Sequence, residues 1–197
     1  MVQKEEIVKQ NLPIKAENII YEPFGKNTLP AIGLASLFIQ ETDPHGIVVV
    51  SPSDHFIDNQ PAFEEGIYAA CRIAANHDGI VTIGITPSYP STSYGYIRKS
   101  SEIESGSEIK AFKVNRFVEK PDIETAVKYC STGEYFWNSG QFVFKCSVLW
   151  DAIRKYTPDV YKSLDEIGKH LYSLNYFEEI TTIYNTINCV SIDYAIM

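Results

Sequence analysis

Basic charge, long apolar runs and paired cysteines are all scarce in this sequence. The 197 residues carry 17 Lys and Arg against 25 Asp and Glu, a net charge of −8. This balance argues against a general binder of nucleic acid or anionic membranes, because both need a basic face. No apolar stretch approaches the roughly 20 residues of a membrane-spanning helix, and the polar start Met1–Glu6 does not resemble a signal peptide.

Cysteine and histidine are few and far apart. The four cysteines, Cys71, Cys130, Cys146 and Cys189, form no C-x-x-C pair, so a reducing cytoplasm is the simplest setting. The first three lie in apolar or helical patterns and are expected to act as small buried hydrophobic residues. The four histidines show no metal-ligand spacing.

What the sequence does contain is an alternation of strand and helix patterns. A short strand is predicted at 18–21, a helix capped by Thr28, a strand at 47–50, a helix starting at Asn59 and a strand at 80–85. This order predicts an α/β fold with a parallel sheet and helices on its faces.

The second half of the chain is less regular. Residues 86–108 are rich in Ser, Pro, Gly and Tyr and indicate a loop with short extended pieces. Further elements are predicted as a strand at 110–118, a helix to about Cys130, a strand at 142–144, helices beyond Ser147 and a capped helix start at 191–193.

An aspartate follows the β-branched run Ile47–Val50. Such a run predicts a strand buried on both faces, and Pro52 would end it because proline has no N–H to donate. Asp54 would then project past the carboxyl end of the strand, where open α/β sheets place ligands. The carboxylate could hold a divalent metal or a substrate hydroxyl, or it could simply cap the next turn.

Residues 22–28 form a polar, glycine-containing turn that leads into a helix N-terminus. Free N–H groups and the positive end of the helix dipole suit such a turn to phosphates or to the edge of a base. The alternative is an ordinary loop between a strand and a helix.

Three further stretches have a composition that core packing does not explain. Gly95 lies between tyrosines and could admit a ligand to the backbone, or it could mark a β-bulge. Glu119 and Lys120 could accept hydroxyls and pair with a phosphate, or could form a solvated charged turn. The segment 137–140 could form a sugar-binding edge, or hold a packed tryptophan beside a turn.

Taken together and in this order, six segments resemble the mannose-1-phosphate guanylyltransferases, also called GDP-mannose pyrophosphorylases. The segments are Glu22-Pro23-x-Gly25-x-Asn27-Thr28-x-Pro30-Ala31-Ile32, Pro52–His55, Thr92-x-Tyr94–Ile97, Phe117–Asp122, Trp137–Gly140 and Ser191–Ala195. Each motif is modest alone, but six in order over essentially the whole chain are specific.

The resemblance implies transfer of a guanylyl group from GTP to mannose 1-phosphate, with Mg²⁺ as cofactor. It implies a Rossmann-like nucleotide-sugar pyrophosphorylase sheet, mixed and mainly parallel, incomplete here, with helices on both faces. Residues 1–197 would form one partial nucleotidyltransferase domain, nucleotide-binding over about 1–90 and sugar-binding over about 91–197. The implied roles are catalysis by Asp54 and Lys120, metal binding by Asp54, nucleotide binding by Glu22, Pro23, Gly25, Lys26, Asn27 and Asp54, and sugar-phosphate binding by Gly95, Glu119, Lys120 and Asn138.

The sequence also departs from the family pattern. Lys26 stands where the family usually has arginine. The family's G-x-G-x-R phosphate loop and its second metal-binding aspartate, in a G-W-x-D segment, have no match here. The 197 residues alone are therefore expected to be inactive. The alternatives are a non-catalytic remnant, or part of a protein that also carries a phosphomannose isomerase domain. A cytoplasmic location and a possible homo-oligomer complete the expectations.

Overall fold

A computed structural model describes residues 7, 9, 10 and 13–197, in which a five-stranded sheet carries helices on both faces. The strands are Ile47–Val50 (β1), Val81–Ile85 (β2), Tyr96–Ile103 (β3), Ala111–Val118 (β4) and Tyr135–Lys145 (β5). The helices are Thr28–Thr42 (α1), Gln60–Asn76 (α2), Ile123–Thr132 (α3), Cys146–Tyr156 (α4), Pro158–Gly168 (α5), Tyr176–Thr186 (α6) and Ile192–Ala195 (α7), with a 3₁₀ turn at Ala16–Asn18.

The long strand β5 organises the sheet. β1 and β2 pair with its opposite edges, since both meet Val143. β3 pairs with the first part of β5 and carries β4 on its other side. All of these pairings are antiparallel.

The expectation of a mainly parallel sheet is therefore wrong, although the α/β class is confirmed. β1 and β2 do run in the same direction, but β5 lies between them and runs the opposite way. The alternation of strands and helices fixes the direction of β1 relative to β2 and says nothing about a distant strand inserted between them. The strand predicted at 18–21 is also absent, because a 3₁₀ turn and irregular chain lie there.

The run at β1 is less buried than predicted. Val49 is 42% exposed, and β1 pairs with β5 alone among the strands of the described chain. The strand ends at Val50, two residues before Pro52. This end was expected, because proline has no N–H to donate to a neighbouring strand.

Alternation along β5 builds a core on each face of the sheet. Phe142 and Phe144 pack with the helices α1, α4, α5 and α6, whereas Val143 points to the other face and packs with Ala70 and Ala74 of α2. Successive side chains of a strand point to opposite faces, so one strand serves both layers. A third cluster, formed by Tyr96, Ala126, Tyr135 and Trp137, lies under α3.

Capping residues set where the helices begin and end. Asn59 and Ser191 cap α2 and α7 as predicted, by accepting from the backbone N–H groups of Ala62 and Tyr194. α1 is capped by Asn27, one residue before the predicted Thr28. Gly133 ends α3 in the left-handed region, which glycine adopts without strain.

The cysteines are all free thiols. Cys146 is buried as predicted, Cys71 and Cys130 are half-buried, and Cys189 is exposed. Across the described residues, no helix has the length and apolar character needed to cross a membrane.

Candidate functional site

The segment 22–28, which we call the N-terminal turn, delivers the chain to the start of α1. Asn27 has φ 72° and accepts a hydrogen bond on Oδ1 from the backbone N–H of Thr28 at 2.8 Å. Asparagine tolerates the left-handed region better than most residues with a side chain. Its conformation therefore turns the chain sharply, just before the first turn of α1.

Backbone hydrogen bonds hold the N-terminal turn against residues 190–192. The N–H of Val190 donates to the carbonyl of Lys26 at 3.2 Å, and the N–H of Leu29 donates to the carbonyl of Val190 at 3.2 Å. The N–H of Ile192 donates to Thr28 Oγ1 at 3.0 Å. Segments about 160 residues apart in sequence are thus joined at one place.

Two side chains of the turn are also tied to the end of α6. The hydroxyl of Tyr184 donates to Glu22 Oε2 at 2.7 Å. Burial raises the pKa of Tyr184, and the hydrogen bond to Glu22 raises it further, so the phenol stays protonated as a donor. Lys26 Nζ donates to the carbonyl of Asn185 at 2.9 Å, so its charge already has one partner. Tyr184 was missed at the sequence level because it occupies an ordinary core position on a helix.

Gly95, Glu119, Lys120 and Asn138, four residues selected from three motifs, lie together. The N–H of Asn138 donates to the carbonyl of Gly95 at 2.8 Å. A Cβ placed on Gly95 would lie 2.8 Å from Glu119 Oε2, so the carboxylate approaches the backbone there because no side chain is present. Lys120 Nζ lies 3.3 Å from Glu119 Oε1.

Strand register explains this meeting. Tyr96 pairs with Val118 on one side and with Trp137 on the other. The residues one step beyond, Gly95, Glu119 and Asn138, are therefore neighbours at the same end of the three strands. Lys120 has φ 44°, a strained conformation for a residue with a side chain, of the kind that is common in functional sites.

Asp193 joins this group from the start of α7. Its Oδ1 accepts from Asn138 Nδ2 at 2.7 Å. Burial raises the pKa of the Asp193 carboxyl, and the nearby charge of Glu119 adds to the effect. The backbone N–H of Asp193, the Asn138 amide and Lys120 act in the opposite direction on this pKa. We call Gly95, Glu119, Lys120, Asn138 and Asp193 the polar cluster.

Neither Asp193 nor Thr82, whose Oγ1 lies 2.8 Å from Asn138 Oδ1, was selected as a site residue from the sequence. Asp193 belongs to a quoted motif, but its position two residues after Ser191 resembles an ordinary first-turn helix acid. Thr82 lies inside β2, where threonine is common.

Asp54 lies in the exposed turn after β1. The same turn approaches β5, because a Cβ on Gly140 would lie 3.5 Å from Pro52 Cγ. No side chain in the described part of the chain bonds to the Asp54 carboxylate, and no group of three or more His, Cys, Asp or Glu residues there could hold a metal ion. A metal at Asp54 would need most of its ligands from elsewhere.

Aromatic rings border the polar cluster. Trp137 is 8% exposed, with the rings of Tyr89 and Tyr94 centred 4.9 and 5.0 Å from it. The segment 137–140 lies within β5 rather than beside a turn. The tryptophan is therefore a packed residue, as the alternative interpretation held, while the neighbouring Asn138 is part of the cluster.

A separate apolar cavity of about 770 Å³ lies between α2 and the sheet. Ile73, Ile97, Lys99 and Phe136 are among its lining residues, and none of the polar cluster lines it.

Comparison with known proteins agrees with these motifs. Residues 2–181 match the family model described as nucleotidyl transferase. Mannose-1-phosphate guanylyltransferases of Salmonella typhimurium and Escherichia coli are each 38% identical to the chain over 92% of its length. The chain spans only 38% of the length of these two relatives.

Two solved structures share the fold. One is described as a mannose-1-phosphate geranyltransferase from Thermus thermophilus, with a TM-score of 0.77 and 26% identity over 90% of this chain and 49% of that one. The other is described as a mannose-6-phosphate isomerase from Helicobacter pylori, with a TM-score of 0.73 and 30% identity over 88% of this chain and 65% of that one. On the family match and these relatives, the chain belongs to the nucleotidyl transferase family.

Proposed function

We propose that this chain takes part in the synthesis of GDP-mannose, by transfer of a guanylyl group from GTP to mannose 1-phosphate. The observation that carries the proposal is the polar cluster, in which residues from three separate motifs meet at one end of β3, β4 and β5. The names of the relatives support the same substrates.

The polar cluster would bind the sugar phosphate. Glu119 would accept hydrogen bonds from mannose hydroxyls, and the Asn138 amide would also contact the sugar. Lys120 would pair with the phosphate, because an ammonium is a compact charge that binds phosphate well. Since Lys120 Nζ is only 3.3 Å from Glu119 Oε1, the phosphate would compete with this ion pair. The missing side chain of Gly95 would leave room for the sugar beside the backbone.

The N-terminal turn would contact the base and ribose of GTP. Its proposed residues are Glu22, Pro23, Gly25, Lys26 and Asn27. The Lys26 ammonium already donates to the Asn185 carbonyl, so we expect it to fix the turn as well as to meet the nucleotide. An arginine at this position could donate in a planar fork that lysine lacks.

Asp54 would hold Mg²⁺. Its carboxylate is exposed and is a hard oxygen ligand, and Mg²⁺ is usually bound in such enzymes by one or two carboxylates together with substrate phosphates and water. When bound, the ion would neutralise charge on the triphosphate.

The proposed reaction is a single displacement. An oxygen of the mannose 1-phosphate group forms a bond to the α-phosphorus of GTP, and the bond from that phosphorus to the β-phosphate oxygen breaks, releasing pyrophosphate. No covalent protein intermediate is needed. The residues of the chain contribute by aligning the two substrates and by balancing charge, with Lys120 on the attacking phosphate and Asp54 on the metal.

The first experiment separates substrate binding from turnover. Calorimetric titration with mannose 1-phosphate should show binding that Lys120→Ala weakens and that Lys113→Ala, which removes an exposed lysine of β4, does not. Pyrophosphate release from GTP and mannose 1-phosphate with Mg²⁺ then measures transfer. A measurable rate of release from these 197 residues would refute the non-catalytic alternative, and tighter binding of glucose 1-phosphate would refute the mannose assignment.

The Helicobacter pylori structure favours one further assay. That protein is described as a mannose-6-phosphate isomerase, and a bifunctional protein was among the alternatives at the sequence level. The same preparation should therefore be tested for conversion of mannose 6-phosphate to fructose 6-phosphate. We propose that the present residues serve guanylyl transfer, so Lys120→Ala should leave any isomerase rate unchanged.

We also propose a cytoplasmic location, which the four free thiols support. A homo-oligomer stays a prediction, and the mass of the purified protein measured by light scattering would test it.

A further inference from the structure

We propose that Asp193 is a positioning residue, which holds the side-chain amide of Asn138 in the one orientation that presents an N–H to mannose. The inference rests on the proposed function, because it concerns the same sugar site. It adds a residue that the motif resemblance leaves without a role.

The Asn138 amide is held from both sides. Its Oδ1 accepts from Thr82 Oγ1 at 2.8 Å and, over a longer distance of 3.3 Å, from the N–H of Gly140. Its Nδ2 donates to Asp193 Oδ1 at 2.7 Å. An amide turned by 180° would exchange these oxygen and nitrogen positions.

Thr82 cannot choose between the two orientations. Its hydroxyl also lies 3.0 Å from the carbonyl of Gln141, to which it can donate. A hydroxyl has one hydrogen and can both donate and accept. If it donates to the Gln141 carbonyl, it can accept from an amide nitrogen and so satisfy the turned form.

Asp193 does discriminate, because an ionised carboxylate only accepts. The observed amide places its nitrogen on Asp193, whereas the turned amide would place an oxygen against the carboxylate. The bond to a charged acceptor is also stronger than a bond between neutral groups. Asp193 therefore determines the orientation of the Asn138 amide. The N–H of Gly140 favours the same orientation, because it donates to Asn138 Oδ1.

The result is an uncommitted amide donor in the polar cluster. Nδ2 carries two hydrogens, of which Asp193 takes one. The second is free to donate to a sugar hydroxyl in a cluster whose other ligand side chains are the acceptor Glu119 and the cation Lys120. Hydrogen bonds to substrate hydroxyls discriminate strongly when the protein groups are fixed in advance.

The backbone around Asp193 keeps it in place. The N–H of Ile192 donates to Thr28 Oγ1 at 3.0 Å, and Ser191 Oγ accepts from the N–H of Tyr194 at 3.2 Å. The start of α7 therefore connects the N-terminal turn to Asn138.

The test compares Asp193→Ala, Asp193→Asn and the control Ser191→Ala, which removes the cap of α7 without touching Asn138. We expect Asp193→Ala to raise the Kd for mannose 1-phosphate roughly tenfold, the size of effect seen when supporting partners of a binding residue are removed. Asp193→Asn should recover part of the loss, because an amide oxygen can accept from Asn138. Ser191→Ala removes one support of Asp193 but keeps its carboxylate, so it should raise the Kd clearly less than Asp193→Ala does.

A spectroscopic measurement reports the amide directly. In ¹⁵N-labelled protein, the two Asn138 side-chain N–H signals should be well separated, and Asp193→Ala should move them much further than Ser191→Ala does. If Asp193→Ala does not fold, Asp193→Asn gives the same measurement, and Thr82→Val should change these signals less than Asp193→Asn does.

The outcomes separate the positioning role of Asp193 from the proposed function. If the Asn138 signals move in Asp193→Ala but the Kd is unchanged, the positioning role is overturned and the proposed function stands. If Ser191→Ala weakens binding as much as Asp193→Ala, Asp193 acts only through the helix and the inference is again wrong. If the unaltered protein binds no mannose 1-phosphate, the proposed function fails and the inference fails with it.

Discussion

The N-terminal turn and the polar cluster are built in different ways, although α7 connects them. The turn is anchored to two distant segments, the end of α6 and residues 190–192, through its backbone at Lys26 and its side chains at Glu22, Lys26 and Thr28. The cluster is held by side chains, through the bond from Asn138 to Asp193 and the ion pair of Glu119 with Lys120. Changes in the side chains of the cluster should therefore alter binding more than stability, and loss of an anchor of the turn should alter stability more than sugar binding.

The two regions also differ in how charge is used. In the turn, Lys26 and Glu22 each already bond to a residue near the end of α6. In the cluster, two carboxylates and one ammonium are close enough to influence one another. Such an arrangement is costly without a ligand and suits a site whose partner brings both hydroxyls and a phosphate.

The largest expected effect is that of Lys120→Ala on sugar-phosphate binding. A hydrogen bond to a charged group contributes about 1.5–3 kcal/mol, so the Kd for mannose 1-phosphate should rise roughly 10- to 100-fold by calorimetry. Alanine and lysine both carry a Cβ at φ 44°, so the backbone strain is unchanged. An unaltered Kd, or an equal loss of affinity in Lys113→Ala, would contradict the assignment of sugar-phosphate binding to the polar cluster.

Gly95→Ala tests the close approach of Glu119. The new Cβ would lie 2.8 Å from both Glu119 Oε2 and Phe117 Cζ, so the carboxylate and the ring must move. We expect affinity for mannose 1-phosphate to fall by about tenfold, since a displaced hydrogen-bond partner costs about 1 kcal/mol or more.

Gly79→Ala is the matched control, because its Cβ would meet nothing within 4 Å. If both alanine variants bind the sugar phosphate as the unaltered protein does, the carboxylate position does not matter for binding.

Tyr184→Phe should affect the N-terminal turn alone. It removes the donor to Glu22, and the free energy of unfolding measured with urea should fall by about 1 kcal/mol. Affinity for mannose 1-phosphate should change little, because Tyr184 does not touch the polar cluster. Tyr172→Phe, at a tyrosine that is 79% exposed, should leave stability unchanged, and a loss of sugar binding without loss of stability in Tyr184→Phe would reverse our assignment.

The smallest expected effects are opposite changes of stability with pH at Asp122 and Asp193. The backbone N–H of Thr125 lowers the pKa of Asp122, so Asp122 stabilises the fold above its ordinary pKa, and this contribution is lost as pH falls through the lowered value. Burial raises the pKa of Asp193, so Asp193 costs stability as pH rises from its ordinary value through the raised one.

Urea unfolding between about pH 3 and 7 measures both contributions. The stability difference between Asp122→Asn and the unaltered protein should grow more unfavourable with rising pH, whereas that of Asp193→Asn should grow more favourable. Slopes of the same sign would show that burial does not dominate at Asp193.

Candidate residues of the site could be selected from the sequence, because short motifs place chemically distinctive residues at strand ends. Gly95, Glu119, Lys120 and Asn138 were selected from three motifs, and the structure brings them together. Their grouping depends on the pairing of β3 with both β4 and β5, which local patterns do not contain. The position of β5 between β1 and β2 was missed for the same reason.

The supporting residues could not be recognised in the same way. Tyr184, Thr82 and Asp193 occupy positions where a core tyrosine, a strand threonine and a first-turn acid are ordinary. Their roles arise only from contacts with residues more than 50 positions away. Asp54 stays a predicted metal ligand, since its exposed carboxylate fits that role without demonstrating it.

The most direct test of the central claim is a titration of ¹⁵N-labelled protein with mannose 1-phosphate, followed through the backbone N–H signals. If the polar cluster is the sugar-phosphate site, the signals of Gly95, Glu119, Lys120 and Asn138 should shift most, and saturably. Shifts concentrated instead at Ile73 and Lys99, around the apolar cavity under α2, would contradict the account.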